Sequence, residues 1–253
     1  MKGPVLVITM AGRGERFLRA GRRLPKYMLE AGGATLFELS LSGLPLDRFS
    51  RMVFVALRGH EEAFGVSSFV RERTRALKAP AEAEIMLLDS PTAGQAQTAL
   101  AAGRLLDPDA GLAIYNIDTY FRSETLARTL EDPSARADGV IGAFRLGRRD
   151  EKWSFARLAP DGFVAETAEK RQISDLALTG FYHFSRAGDF FEAAGAALAE
   201  GERERGEFYV APLYNRLISA GRRFVADTAS KIVPLGTPED LLLAPPGLIS
   251  EGM

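Results

Sequence analysis

Residues 5–17 read VLVITMAGRGERF, a short apolar run that leads directly into a loop with two glycines and two arginines. The apolar run, Val5 to Met10, is too short to cross a bilayer and is expected to be a buried strand. Gly12 and Gly14 allow backbone N–H groups to converge on an anion without a Cβ in the way, and Arg16 adds positive charge. The stretch therefore predicts a strand that ends in a phosphate-binding loop.

The loop differs from the two common nucleotide-binding motifs. Arg16 stands just before the place where the dinucleotide fingerprint has its third glycine, and no Gly-Lys-Ser/Thr of a Walker A motif follows. An ordinary turn between a strand and a helix, with solvated arginines, is the alternative interpretation. The step from Pro25 to Lys26 favours phosphate binding, because Pro25 restricts the backbone just ahead of a lysine that would otherwise be a mobile surface charge.

Short apolar runs alternate with amphipathic stretches through the first half of the chain. The predicted strands after the first are Met52 to Leu57, Ile85 to Leu88 and Leu112 to Tyr115. The predicted helices, with apolar residues at helical spacing, are Leu36 to Leu44, Glu61 to Leu77 and Gln95 to Leu106. This alternation is typical of βαβ units, so we expect an α/β fold with a Rossmann-like, mainly parallel sheet and flanking helices.

The second half is richer in strands. Those predicted from the sequence are Gly139 to Phe144, Phe155 to Leu158, Phe163 to Thr167 and Gly180 to Phe184, with a hairpin turn at Asp161 and Gly162. The elements expected after them are helices near Ala187 to Ala199 and Val210 to Ile218, strands at Arg223 to Val225 and Lys231 to Leu235, and a turn at Pro238. No Pro/Gly/Ser linker separates the halves, so residues 1–253 are expected to form one domain, with halves of about 1–138 and 139–253.

The composition excludes several classes of protein. A formal net charge of −1 gives no basic surface for wrapping nucleic acid or coating an anionic membrane. The chain has no Cys and only two His, so disulfides, thiolate sites and His-based metal clusters are not expected. We expect a cytoplasmic protein with neither nucleic-acid nor membrane partners, and the oligomeric state stays open.

A polar segment precedes the third predicted helix, at the edge where open α/β sheets bind ligands. Residues 90–97 read SPTAGQAQ. Gln95 and Gln97 are candidates for reading the edge of a nucleotide base. The alternative is an ordinary helix start with Thr92 as its cap.

An acidic residue follows the fourth predicted strand. Asp118 comes shortly after Tyr115 and is our candidate metal ligand. Mg²⁺ takes one or two protein carboxylates together with phosphate oxygens and waters, so a single Asp is sufficient to start a site. Asp118 as the N-cap of a helix near Ser123 is the alternative.

In their order along the chain, these motifs resemble the sugar-phosphate nucleotidyltransferase family, which has a GT-A-like fold. The family opening, Gly-x-Gly-x-Arg, then Pro-Lys and a further glycine, matches Gly12, Gly14, Arg16, Pro25, Lys26 and Gly32 or Gly33. The resemblance implies three catalytic residues, Arg16, Lys26 and Asp118, with Asp118 also the Mg²⁺ ligand. It implies that the NTP-binding residues are Ala11, Gly12, Arg13, Gly14, Gly94 and Gln95.

A block in the second half extends the resemblance. The family has a hairpin, then Glu-Lys, then a small residue with Gly, and this pattern matches Glu169, Lys170, Thr179 and Gly180. The resemblance implies that these residues bind the sugar phosphate. Glu169 would contact sugar hydroxyls, Lys170 the phosphate, and Gly180 would let the sugar approach. The first half would then bind the NTP and the second half the acceptor.

The closing segment departs from the family pattern. Many relatives have a second metal-binding Asp shortly before Thr-Pro-Glu-Asp, where this chain has Pro234, Leu235 and Gly236. Asp227 is a candidate substitute. The expected function is Mg²⁺-dependent transfer of a nucleotidyl group from an NTP to a sugar 1-phosphate or similar phosphorylated small molecule, with release of pyrophosphate. The alternatives are a GT-A glycosyltransferase that uses a nucleotide sugar and a non-catalytic relative.

Overall fold

The structure, a computed structural model, describes residues 3–131, 137–245 and 247–248. The strands of this part are β1 (Val5–Thr9), β2 (Glu30–Ala31), β3 (Ala34–Thr35), β4 (Arg51–Leu57), β5 (Ala83–Leu88), β6 (Leu112–Asn116), β7 (Thr119–Arg122), β8 (Gly139–Arg145), β9 (Ser154–Leu158), β10 (Val164–Glu169), β11 (Leu176–Phe184), β12 (Phe224–Thr228) and β13 (Lys231–Pro234). Its α-helices are α1 (Glu15–Arg19), α2 (Leu36–Ser42), α3 (Arg58–Phe64), α4 (Val66–Ala76), α5 (Gln95–Ala101), α6 (Leu126–Glu131), α7 (Ala187–Glu200), α8 (Leu213–Ser219) and α9 (Pro238–Leu243).

The central sheet confirms the predicted α/β fold. Its main path runs β10-β9-β11-β6-β1-β4-β5, and β8 pairs with β11 and β12. The strands β1, β4, β5 and β6 are parallel to one another, as the alternating pattern of the first half predicted. Val5 and Val7 of β1 belong to the core on one face of the sheet, whereas Leu6 and Ile8 belong to the core on the other. Burial on both faces explains why this strand is a continuous apolar run.

The crossover helices lie where they were predicted, but α5 ends at Ala101, before the predicted Leu106, and is followed by a 3₁₀ helix at Ala102–Leu105. The α2 helix begins with a capping box, in which Thr35 and Glu38 satisfy each other's backbone N–H groups. The predicted helix from Glu61 to Leu77 is in fact two helices, α3 and α4. They are divided at Gly65, whose φ of 63° ends α3 in the left-handed conformation. Within the described ranges, no helix has the length and apolarity needed to cross a membrane.

The second half extends the same sheet by antiparallel pairing. Strand β11 lies against β6, with Phe181 opposite Tyr115. The hairpin between β9 and β10 turns where the sequence predicted, and Gly162 has a φ of 86°. Strand β13 pairs with β7, and the Leu235 N–H donates to the Asp118 carbonyl at 2.8 Å. This pairing returns the end of the chain to the carboxyl end of β6, where the site lies.

Candidate active site

A cleft with a volume of about 710 Å³ opens at the carboxyl ends of β1 and β6. This is the edge at which open α/β sheets place their ligands. The cleft lining contains all the residues predicted to act in catalysis and NTP binding: Ala11, Gly12, Arg13, Gly14, Arg16, Lys26, Gly94, Gln95 and Asp118. It also contains polar or conformationally free positions to which the sequence motifs assigned no role, among them Thr98, Asn116, Glu207, Tyr209 and Gly236.

The glycine loop presents unsatisfied donors to this cleft. Gly14 has a φ of 66° and caps the start of α1 without a Cβ in that left-handed conformation. In the described part of the chain, the N–H groups of residues 12–16 donate to no protein acceptor. Arg13 and Arg16 are exposed and form no ion pair with any described residue. Free N–H groups beside two unpaired guanidinium groups suit an anion with several phosphates.

Lys26 and Asp118 form an ion pair inside the cleft. Lys26 Nζ lies 2.6 Å from Asp118 Oδ2, and the two side chains are 20% and 29% exposed. Lys26 opens a 3₁₀ turn directly after Pro25. The next residue, Tyr27, is buried and its hydroxyl lies 3.1 Å from His60 Nδ1, which anchors the turn against α3. The lysine is therefore held at the cleft and is not a mobile surface charge.

The alternative interpretation of Asp118 as a helix cap is wrong. Strand β7 follows it directly, and α6 begins only at Leu126. The hydroxyl of Ser123 accepts the Leu126 N–H at 3.1 Å, so Ser123 caps that helix. Asp118 is left with Lys26 as its charged partner and faces the cleft.

The segment before α5 forms the opposite wall. Gly94 has a φ of 148°, and a Cβ on it would lie 2.3 Å from the Phe208 carbonyl oxygen. Only glycine fits this approach. Gln95 lines the cleft, and its Nε2 atom is buried without a hydrogen-bond partner among the described residues. Gln97 instead accepts the Ala93 N–H at 2.7 Å, and the predicted Thr92 cap is wrong because Gly94 holds the N-cap position.

Asp227, the suggested second metal ligand, lies away from the cleft. Asp227 is buried, accepts hydrogen bonds from Thr125 and Thr129 at 2.7 and 3.1 Å, and also accepts one from Ser123. Ser123 and Thr125 directly precede α6 and Thr129 lies within it, whereas Asp227 is not part of the cleft lining. The suggested substitution of Asp227 for the missing ligand is therefore wrong. Its carboxylate has a structural role at the helix start.

Gly236 lies beside Asp118 in the cleft lining, where a second carboxylate could reach a metal ion held by Asp118. A Cβ on Gly236 would lie 3.8 Å from Asp118 Oδ2, an ordinary van der Waals distance, and its φ is not positive. No group of three His, Cys, Asp or Glu side chains converges on a metal position among the described residues. The Asn116 side-chain oxygen, also in the cleft lining, is buried without a hydrogen-bond partner. This oxygen-rich set fits Mg²⁺ only with phosphate oxygens completing the coordination.

A neighbouring cleft of about 360 Å³ contains Glu169 and Lys170. The Glu169 side chain is 4% exposed and accepts a hydrogen bond from Ser154. Burial raises the pKa of the Glu169 carboxyl, and the Glu207 carboxylate raises it further. Lys170 Nζ lies 3.9 Å from Glu169 Oε1 and donates a hydrogen bond to the Tyr209 hydroxyl.

The other two predicted acceptor contacts lie outside both cleft linings. Thr179 is 1% exposed and its hydroxyl accepts the Phe181 N–H at 3.3 Å, contrary to the prediction that it contacts the sugar. Gly180 has a φ of 88°, and a Cβ on it would lie 2.4 Å from the Asn116 side-chain nitrogen. The bare backbone at Gly180 therefore makes room for Asn116, and its approach to a sugar stays a prediction.

Comparison with known proteins assigns the family. No protein-family model matches the chain, and no curated protein matches it either. The solved structure of the nucleoside-diphosphate-sugar pyrophosphorylase from Vibrio cholerae RC9 is 35% identical to it, with a TM-score of 0.78, covering 94% of this chain and 98% of the other. The chain belongs to the sugar-phosphate nucleotidyltransferase family. The predicted family and enzyme class are thereby confirmed.

More distant structures share the nucleotidyltransferase fold. The inositol-1-phosphate CTP transferase from T. maritima is 12% identical, with a TM-score of 0.72, covering 100% of this chain and 97% of the other. A putative glucose-1-phosphate thymidylyltransferase from Bacillus anthracis is 17% identical, with a TM-score of 0.74, covering 98% and 94%. At these identities the likeness shows the fold alone.

Two cleft residues of this nucleotidyltransferase, Glu207 and Tyr209, were assigned no role from the sequence motifs. Both line the main cleft, and Tyr209 also meets Lys170 from the neighbouring cleft. The segment from Gly206 to Tyr209 contains two aromatic residues, and core packing explains such residues as well as a place beside a substrate does. The sequence therefore offered no means of distinguishing a tyrosine of the cleft from a core residue.

Proposed function

We propose that this nucleotidyltransferase uses Mg²⁺ to transfer the nucleotidyl group of an NTP to a sugar 1-phosphate or a similar phosphorylated small molecule. The supporting observation is the single cleft that joins unpaired Arg13 and Arg16 to the Lys26–Asp118 pair. A triphosphate needs several cations and N–H donors close together, and an acceptor phosphate needs a second cationic position. Lys170 supplies that position in the adjoining cleft.

The chemistry requires little proton transfer. An oxygen of the acceptor phosphate attacks the α-phosphorus, the bond from that phosphorus to the β-phosphate oxygen breaks, and pyrophosphate leaves with the electron pair. A phosphate dianion is already a nucleophile, so a general base is unnecessary. Arg16 and Lys26 stabilise the charge that develops on the transferring and leaving phosphates.

Asp118 is the residue that would hold Mg²⁺, together with phosphate oxygens and waters. When bound, the ion supplies charge stabilisation at the phosphates. The Lys26 ammonium, 2.6 Å from Asp118 Oδ2, balances that carboxylate in the ligand-free protein. A bound triphosphate would be a second anionic partner for Lys26. The ion pair therefore keeps the Lys26 ammonium and the Asp118 carboxylate where the phosphates would bind.

Gly236 favours one competing hypothesis, a relative that binds nucleotide without turnover. Its position beside Asp118 means that the protein contributes one carboxylate where a second would fit. Weak metal binding by the free protein is expected under both hypotheses. Only turnover separates them.

The decisive experiment measures pyrophosphate release from each of the four NTPs against a panel of sugar 1-phosphates and other phosphorylated acceptors, with Mg²⁺ and with a chelator. One NTP–acceptor pair should give Mg²⁺-dependent release. Asp118→Asn, which keeps the side-chain shape and removes the charge, should lower the rate by about 100-fold or more at an unchanged melting temperature. Nucleotide binding without release in any combination would support the non-catalytic relative instead.

A further inference from the structure

Tyr209 stands between the two clefts. It lines the nucleotide cleft, and its hydroxyl accepts a hydrogen bond from Lys170 Nζ in the neighbouring one. The same ammonium lies 4.4 Å from the centre of the Tyr209 ring, within range of a cation–π interaction. One aromatic side chain therefore contacts the Lys170 cation through both its ring and its hydroxyl.

The backbone of Lys170 is held independently of this contact. Its φ of 50° is in the left-handed region, which a side chain with a Cβ rarely adopts. The Lys170 N–H donates to the Trp153 carbonyl at 3.0 Å, and the Lys170 carbonyl accepts from Arg205 Nη2 at 3.3 Å. Such conformations persist where the surroundings fix them, and they cluster at functional sites. The flexible part of Lys170 is its side chain, whose end rests on Tyr209.

Tyr209 is in turn fixed to the nucleotide side. Its neighbour Phe208 exchanges backbone hydrogen bonds with the segment before α5, donating to Ala93 at 2.8 Å and accepting from Ala96 at 3.0 Å. Gly94 packs directly on the Phe208 backbone. Tyr209 therefore links the wall of the nucleotide cleft to the cation of the acceptor cleft.

We propose that Tyr209 is a positioning residue that sets where the Lys170 ammonium meets the acceptor phosphate relative to the bound nucleotide. This proposal rests on the proposed function. Without the Tyr209 side chain, the long Lys170 side chain is free to sample many rotamers. Its ammonium then spends less time where it holds the acceptor phosphate in line with the α-phosphorus. Burial and the Glu207 carboxylate raise the pKa of the Tyr209 phenol, so it stays neutral through the working pH range and accepts from Lys170.

The test is a double-mutant cycle with Tyr209→Phe, Lys170→Met and the double variant. Tyr209→Phe keeps the ring and removes the hydroxyl. It should lower kcat/KM for the acceptor by about 10- to 100-fold and leave the KM for the NTP within about twofold, because a hydrogen bond to a charged group is lost on the acceptor side alone. In the Lys170→Met background, the same substitution should have no further effect, because the partner is already absent.

The positioning role would be overturned if the two substitutions lowered kcat/KM for the acceptor additively. It would also be overturned if Tyr209→Phe changed only the KM for the NTP. A chain that releases no pyrophosphate at all would refute the proposed function, and the placement of Lys170 then needs a readout without turnover. Lysine acylation followed by mass spectrometry provides one. Lys170 should be acylated faster in Tyr209→Phe than in the original chain, with exposed Lys78 as the internal reference. Equal rates at Lys170 would contradict the proposal.

Discussion

Gly236→Asp tests whether this position faces the metal. The structure places a Cβ at residue 236 only 3.8 Å from Asp118 Oδ2, with no clash and no positive φ. A rotamer that turns the new carboxylate towards Asp118 would bring the two negative charges to about 4 Å from each other. Two such charges repel by about 1 kcal/mol in water and about 4 kcal/mol at the effective dielectric constant near a protein surface.

The repulsion energy should lie near the lower end of this range, because the Lys26 Nζ atom, 2.6 Å from Asp118 Oδ2, already balances that carboxylate and the site is partly open to water. A divalent ion that binds between the two carboxylates relieves the repulsion. About 1.4 kcal/mol of relief corresponds to a tenfold gain in affinity. Gly236→Asp should therefore lower the Mg²⁺ concentration for half-maximal pyrophosphate release by about tenfold, and the Mg²⁺-free variant should unfold at a slightly lower temperature than the original chain.

The assay is a Mg²⁺ titration of activity at saturating NTP, together with isothermal titration of Mg²⁺ into nucleotide-free protein. Gly236→Asn is the matched control, since it has nearly the same shape without the charge and should leave the Mg²⁺ requirement close to that of the original chain. An unchanged Mg²⁺ requirement in a stably folded Gly236→Asp variant, or an equal gain from Asn, would refute the reasoning.

Three further predictions concern charge and burial. Lys26→Ala should lower kcat by about 100-fold with little change in acceptor KM, because the lysine acts at the triphosphate. Steady-state kinetics in both substrates measures this, and a rise in acceptor KM alone would contradict it. Asp227→Ala should destabilise the fold by about 1–3 kcal/mol in urea unfolding, because half-buried hydroxyls lose their buried acceptor, and a changed Mg²⁺ requirement would reopen its metal role. Burial lowers the pKa of His183 from 6.5 to about 4, so the unfolded chain takes up a proton that the folded one resists. Stability should therefore fall as pH drops from about 6.5 to about 4, less so in His183→Leu, and parallel melting curves for the two proteins would count against it.

The main cleft was accessible to sequence reasoning because its residues lie in local motifs. A glycine loop after a buried strand and a Pro-Lys step each have a physical meaning within a few residues, and both segments line the cleft. The break of the predicted helix at Gly65 was missed because apolar residues keep helical spacing across it. A single glycine inside a helical pattern does not by itself require a break.

The surroundings of Thr179 and Gly180 were less predictable because side-chain direction depends on strand pairing. Thr179 points away from both clefts and into the space left by Gly142, where a Cβ would lie 2.4 Å from the Thr179 hydroxyl. Gly180 is bare because Asn116 of the neighbouring strand occupies the position. Neither partner is near in sequence, so neither constraint could be read from the motif itself.

The sequence by itself determined the parallel sheet, the glycine loop after its first strand and the order of motifs, because periodicity and backbone freedom act over a few residues. Only the tertiary structure decided which distant groups meet. Lys26 and Asp118 are separated by 92 positions, and Lys170 and Tyr209 by 39. Gly236 returns to Asp118 because β13 pairs with β7, and Asp227 is turned to the start of α6 because β12 pairs with β8. Contacts of this kind arise from strand register, which local composition leaves undetermined.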